Sequence, residues 1–135
     1  MNTPPPDFPK GPLAVVVTGG RDFSDGELLC AALDDLDVVV LIHGACTGAD
    51  SMADRWAIVS GIEPVRFPVT SEEWRRIGRR AGPIRNGKMI AEAVATIAPK
   101  HGATPVLVAF QGGRGTKNCI ETARAASVAV WEVES

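Results

Sequence analysis

The most suggestive chemistry in the chain is carried by six consecutive residues, QGGRGT at positions 111–116. Gly112, Gly113 and Gly115 let the backbone turn tightly and let a ligand approach its amides closely. Thr116 then opens a helix, whose free N–H groups and dipole favour an anion. Arg114 adds a planar charged fork suited to phosphate or carboxylate. Two further loops are related in composition. In TGGRDF (18–23), Arg21 and Asp22 either pair with each other at the surface or divide between ligand groups. In the second case Thr18 is ligand-binding, the Gly19 and Gly20 amides face a phosphate, and Asp22 accepts from a ribose hydroxyl or a base amino group. In HGACTGAD (43–50), Gly44 and Gly48 bracket a tight turn through Ala45. Asp50 is read first as the cap of the following helix and otherwise as a reader of ribose or base. His43, with no evident partner, reads as structural or ligand-facing rather than as a general base.

Six of the fourteen basic residues crowd into positions 75–88 (Arg75, Arg76, Arg79, Arg80, Arg85, Lys88). Most such runs form a solvated helix face. Arg85 differs, because Pro83 places it in the first turn of a helix beside Asn86, within reach of the same mouth. Cys46 and Cys119 also fall near that mouth, but neither motif supplies a base, so nucleophilic cysteine chemistry is not expected. TGGRDF has neither the GxGxxG spacing nor a GxxxxGK followed by Ser or Thr, so a standard NAD or ATP site is not indicated.

The elements that must position these loops are legible as alternation. Continuous apolar runs begin at Leu13, Val38, Pro64, Pro105 and Val128, the pattern of strands covered on both faces. Helical stretches lie between them. One is capped by Ser24 or Asp25 and runs through Leu36, and a second covers residues 50–60. A third runs from Pro83 to about Ala98 with Ile84, Met89, Ile90, Val94 and Ile97 inward, and a fourth covers residues 116–126. This predicts a Rossmann-like α/β fold, a doubly wound five-stranded parallel sheet flanked by helices on both faces. Ligands in such sheets bind at the carboxyl ends of the strands, where all three glycine loops fall. Residues 68–82 read as a long loop of functional interest. Residues 1–12, with five of the ten prolines, read as a disordered tail ahead of a single domain at 13–135.

The 135 residues suit one domain, with 45% apolar and 22% charged residues typical of a globular chain. A net charge of -2 disfavours duplex-DNA binding. Three cysteines without CxxC spacing argue against a disulfide framework or a zinc site and suit a reducing cytoplasm, the expected location. No metal is expected, and no segment reads as a signal peptide or membrane span.

Four segments in order resemble the YspA-type branch of the SLOG superfamily. They are TGGRDF, HGxxxGAD followed by MADRWA, EEWRRIGRRAGPIRNGKM, and VAFQGGRGT followed by A-x-x-A. The similarity spans about Val15 to Val130. Relatives include the LOG phosphoribohydrolases, the DNA-processing protein DprA and molybdenum-cofactor carriers. The resemblance implies a domain associated with nucleotides, nucleotide sugars and derivatives of NAD or ADP-ribose. Against the PGGxGTxxE signature of the phosphoribohydrolases, Gly112, Gly113, Gly115 and Thr116 match and Gln111 replaces proline. Asn118 and Cys119 hold the acidic positions, leaving Glu121 as the nearest substitute. Arg85, with Asn86 and Met89, matches the arginine element.

The leading expectation is therefore binding of a small nucleotide derivative such as ADP-ribose, an NAD derivative or a nucleoside monophosphate, with no further cofactor required. The alternative is hydrolysis of a nucleotide N-glycosidic bond, with Asp22, Arg85 and Glu121 as catalytic candidates. A weaker alternative is single-stranded nucleic-acid binding as in DprA, using Trp74 and the arginine run. Homo-oligomerisation is left open.

Overall fold

A computed structural model describes residues 3–134 of the chain. Five parallel strands, β1 (Leu13–Thr18), β2 (Val38–His43), β3 (Glu63–Arg66), β4 (Thr104–Ala109) and β5 (Ala129–Glu132), form one sheet in the order β3-β2-β1-β4-β5. The helices are α1 (Gly26–Asp34), α2 (Ala49–Val59), α3 (Ser71–Ile77), α4 (Ala81–Glu92), α5 (Ala98–Lys100) and α6 (Arg114–Ala125). The doubly wound sheet expected from the alternating pattern is present.

The strands are apolar throughout because both faces are covered. Leu13, Val15 and Val17 of β1 pack with Leu29 and Leu33 of α1 and with Ala49, Ala53 and Ala57 of α2. Ala14 and Val16 point the other way, toward Met89 and Ile90 of α4 and Cys119, Ile120 and Ala123 of α6. Successive side chains of a strand alternate between faces, so one run of five buried residues feeds two cores. Phe8, in the proline-rich segment read as a loose tail, is buried, with its ring edge-on to Trp131 at 6.3 Å between centroids.

Three helix expectations need correction. Residues 68–82 are not an open loop but carry α3 and a 3-10 turn (Gly78–Arg80). A capping box starts α3: Glu73 N donates to Thr70 Oγ1 and Thr70 N to Glu73 Oε1, both at 3.0 Å. On α4 the buried stripe is Asn86, Met89 and Ile90, so Ile84, about 200° around the helix from Asn86, is exposed rather than inward. A π turn (Ala93–Ile97) then shifts the register and leaves Val94 outward. Finally, α6 begins at Arg114, two residues before Thr116, with Gly113 at its N-cap.

Candidate functional site

β1 and β4 are neighbours, yet the connection after β1 leads to α1 on one face and that after β4 leads to α6 on the other. Their loops diverge there and open a cleft at the strand ends, the expected ligand position in this architecture. The loops are held at backbone contact. Gly20 N donates to Gln111 O at 2.9 Å, Phe110 N to Thr18 O at 2.9 Å, and Ala49 N to Gly20 O at 3.3 Å. This contact explains three of the loop glycines. A Cβ at Gly19 would meet Ala49, one at Gly112 would overlap the Thr116 hydroxyl, and one at Gly48 would overlap the Gly20 carbonyl oxygen. Gly113 and Gly115 instead have open space where a Cβ would stand. The first group lets the loops touch; the second leaves room for something else.

The cleft has a volume of about 520 Å³, within the range of small-molecule sites. Of the expected site residues it is lined by Thr18, Gly19, Gly20, Arg21, Gly44, Asp50, Arg85, Asn86, Gly113, Arg114, Gly115 and Thr116. Ala45, Gly48 and Gly112 stay outside it, supporting the loops. Four arginines (Arg21, Arg79, Arg85, Arg114) face one carboxyl group, Asp50. The cleft is thus cationic on a chain whose net charge is -2.

Asp50 is not the helix cap. Gly48 takes that position, and Asp50 sits in the first turn of α2, only 5% exposed. Its Oδ2 accepts from Gly44 N at 3.0 Å and Cys46 N at 3.2 Å. No described residue bonds Oδ1, and no fully buried polar side-chain atom among the described residues lacks a partner. Oδ1 therefore opens on the cleft. Burial raises the Asp50 pKa above 3.8, against the opposing pull of the Cys46 amide, His43, Arg85 and the Gly44 amide.

His43 faces away from the cleft. Its Nδ1 accepts from Ala45 N at 2.9 Å, so Nε2 carries the proton and donates to Asp54 Oδ2 at 2.7 Å. Asp54 is also gripped by Arg66 through Nε at 2.7 Å and Nη2 at 3.0 Å. The Arg66 hydrogen bond, and then His43, hold the Asp54 carboxyl down to about 2. This chain pins Ala45 at φ 59° and fixes the loop that delivers the two amides to Asp50.

Arg85 braces the other side. Its Nη1 donates to Gly44 O and, at 3.1 Å, to Phe67 O, while Nε donates to Asn86 Oδ1 at 2.9 Å. Asn86 Nδ2 continues to Asn118 Oδ1 at 3.0 Å and Gly115 O at 3.4 Å. One polar chain thus crosses from the β2 loop to α6. Asn118, at a position where the phosphoribohydrolase signature has an acid, accepts from Asn86 instead.

The sequence profile of the YspA, cpYpsA-related SLOG family matches residues 13–75, which run from β1 through the β2 loop and Asp50 to Trp74. The chain is also 34% identical to the Gene 61 protein of Mycobacterium phage D29 over 127 residues, covering 86% of this chain and 92% of that protein. The chain belongs to the YspA, cpYpsA-related SLOG family. The name of the phage relative states no activity.

In this SLOG protein the carboxylates singled out for catalysis are not at the cleft. Asp22 is exposed in the turn after β1, and no ion pair joins it to Arg21 among the described residues. Glu121 lies five residues past Thr116, about 140° around α6 from it, and lines a separate open hollow with Lys117 and Arg124. Cys119 is buried, and burial pushes its thiol up to about 11, which suits packing rather than nucleophilic attack. Trp74 and Arg79, expected to act only on a single strand of nucleic acid, also line the cleft. The signal that could have placed them was Thr70 three residues before Glu73, the capping box that makes α3 a helix. No helix among the described residues is long and apolar enough to cross a membrane.

Proposed function

We propose that this SLOG protein binds a nucleotide or nucleotide-sugar derivative, such as ADP-ribose, an NAD derivative or a nucleoside monophosphate, in the cleft beside β1. One observation carries the reading. Two residues more than nine-tenths buried, Asp50 and Thr116, each turn an oxygen without a partner among the described residues, Oδ1 and the hydroxyl, toward the cleft from either side of the β1 end. Buried polar atoms are costly unless bonded, so both are suited to a ligand's groups. The first amides of α6, whose helical acceptors are missing by geometry, lie beside Thr116 and Arg114 and favour a phosphate. Asp50 accepts from hydroxyls, and the arginines supply the remaining charge. Family membership supports nucleotide-related binding or processing.

A melting experiment with ADP-ribose, cyclic ADP-ribose and AMP tests this. At a ligand concentration of 100 times Kd the stabilisation is about 2.7 kcal/mol, on the order of 10 °C for a domain of this size. No shift with any of the three would remove the reading.

The position of Asp50 also favours a second reading, N-glycoside hydrolysis, with this residue in place of Asp22 or Glu121. The C1′–N bond would break with its electron pair going to the base, whose nitrogen takes up a proton. Water would add to C1′ and release a proton. A carboxylate beside C1′ stabilises the positive charge that develops there and can receive the proton from water.

A further inference from the structure

Helix α3 contributes no buried residue to either core layer, yet it is firmly started by its capping box. What it does contribute is Trp74, 40% exposed, with its ring forming part of the cleft wall. The chain's other six aromatics are used elsewhere. Phe8, Phe110 and Trp131 are buried, Phe23 packs on Phe110, Phe67 packs against the α4–α6 core, and Trp56 Nε1 donates to Asp34 Oδ1 at 2.9 Å. A smaller hollow of about 210 Å³ also borders Trp74, and its other walls come from the β1 and β2 loops, Val69 and Arg85. No residue of α6 takes part in it, so the indole also borders space that Thr116 does not reach. A Cβ on Gly82 would lie 4.0 Å from Trp74 Cη2, so the glycine leaves the space beside the ring unfilled. Arg79, five residues on in the 3-10 turn, adds a cation to the same cleft wall.

We propose that Trp74 is the platform on which the ligand's planar base stacks, so that the cleft selects ligands carrying an aromatic heterocycle as well as ribose and phosphate. The inference rests on the nucleotide reading above and adds a separate specificity element to it. Indole faces stack on any base, with a worth that corresponds to about 5- to 150-fold in affinity on removal. Phosphate and ribose contacts at Thr116 and Asp50 do not depend on the ring.

The test is calorimetric titration of the full chain with AMP and with ribose 5-phosphate, for wild type, Trp74→Ala and Trp74→Phe. The expected result is tighter binding of AMP than of ribose 5-phosphate by the wild type. Trp74→Ala should erase that advantage without changing ribose 5-phosphate affinity, and Trp74→Phe should restore most of it. Equal loss for both ligands in Trp74→Ala would assign the residue a structural role and overturn the platform. So would a wild type that binds ribose 5-phosphate as tightly as AMP, an outcome that leaves the phosphate and ribose site standing. Failure of the wild type to bind either ligand overturns the platform, and the nucleotide reading falls with it only if ADP-ribose and cyclic ADP-ribose also leave the melting temperature unchanged.

Discussion

Exchanging Asp50 for asparagine should weaken binding of AMP or ADP-ribose by about 10- to 150-fold, the worth of a hydrogen bond to a charged group, while leaving the fold in place. The asparagine oxygen can still accept the Gly44 and Cys46 amides, now at 3.0 and 3.2 Å from Oδ2. Its amide nitrogen then faces the cleft where Oδ1 stood, and an acceptor for ligand hydroxyls becomes a donor. Loss of affinity should therefore occur without loss of structure. Stability has a definite sign as well. Burial raises the Asp50 pKa above 3.8 in the folded protein, so its contribution is fully present below about pH 3.8 and is lost as pH rises through the folded value. Asparagine has no such dependence. The variant should be at least as stable as wild type at neutral pH, and its advantage should shrink toward about pH 4. Titration calorimetry and melts across that range measure both effects; unchanged affinity would exclude Asp50 from the site. The same variant separates the two functional readings. If the wild type frees adenine from AMP, seen by chromatography, and the variant does not, hydrolysis is the activity. If the wild type frees no base, binding stands alone.

The largest stability loss is expected from Gly48→Ala. Gly48 caps α2 at φ 79° and ψ -125°, a region essentially closed to other residues. Its Cβ would overlap the Gly20 carbonyl oxygen and stand 2.6 Å from Arg21 O, both backbone atoms that no rotamer change can move. Strain and overlap of this kind each cost about 1–3 kcal/mol, so a drop on the order of 10 °C in melting temperature follows. Gly113→Ala is the control, since φ -104° is ordinary and nothing lies within 4 Å of its Cβ. A Gly48→Ala protein melting with the Gly113→Ala control would show that the loop contact does not hold the strand ends together.

The two glycines also mark where sequence reading succeeded and where it stopped. The sheet was legible because VVV-type runs covered on both faces admit few other arrangements, and the three glycine loops follow from the strand ends. The roles of individual glycines were not, because touching loops and open space at a ligand site both call for glycine; only coordinates separate Gly48 and Gly112 from Gly113 and Gly115. Asp50 was misread for a similar reason. An acidic residue at a helix start fits either the cap or the first turn, and the left-handed backbone of Gly48 decides between them. Glu121 failed on phase: with α6 starting at Arg114, Thr116, Cys119, Ile120 and Ala123 turn inward and Glu121 faces out. Trp74 was hidden in a segment whose length suggested a loop, while the capping box that orders it is written at Thr70 and Glu73.

The most direct measurement is an amide-resonance titration of the isotope-labelled protein with ADP-ribose. Binding in the cleft beside β1 predicts the largest shifts at Gly19, Gly20 and Arg21, at Gly44 and Cys46 next to Asp50, and at Gly113 through Thr116. Shifts gathered instead around Lys117, Glu121 and Arg124, or no shifts there with saturating ADP-ribose or AMP, would contradict the assignment of this cleft as a nucleotide site.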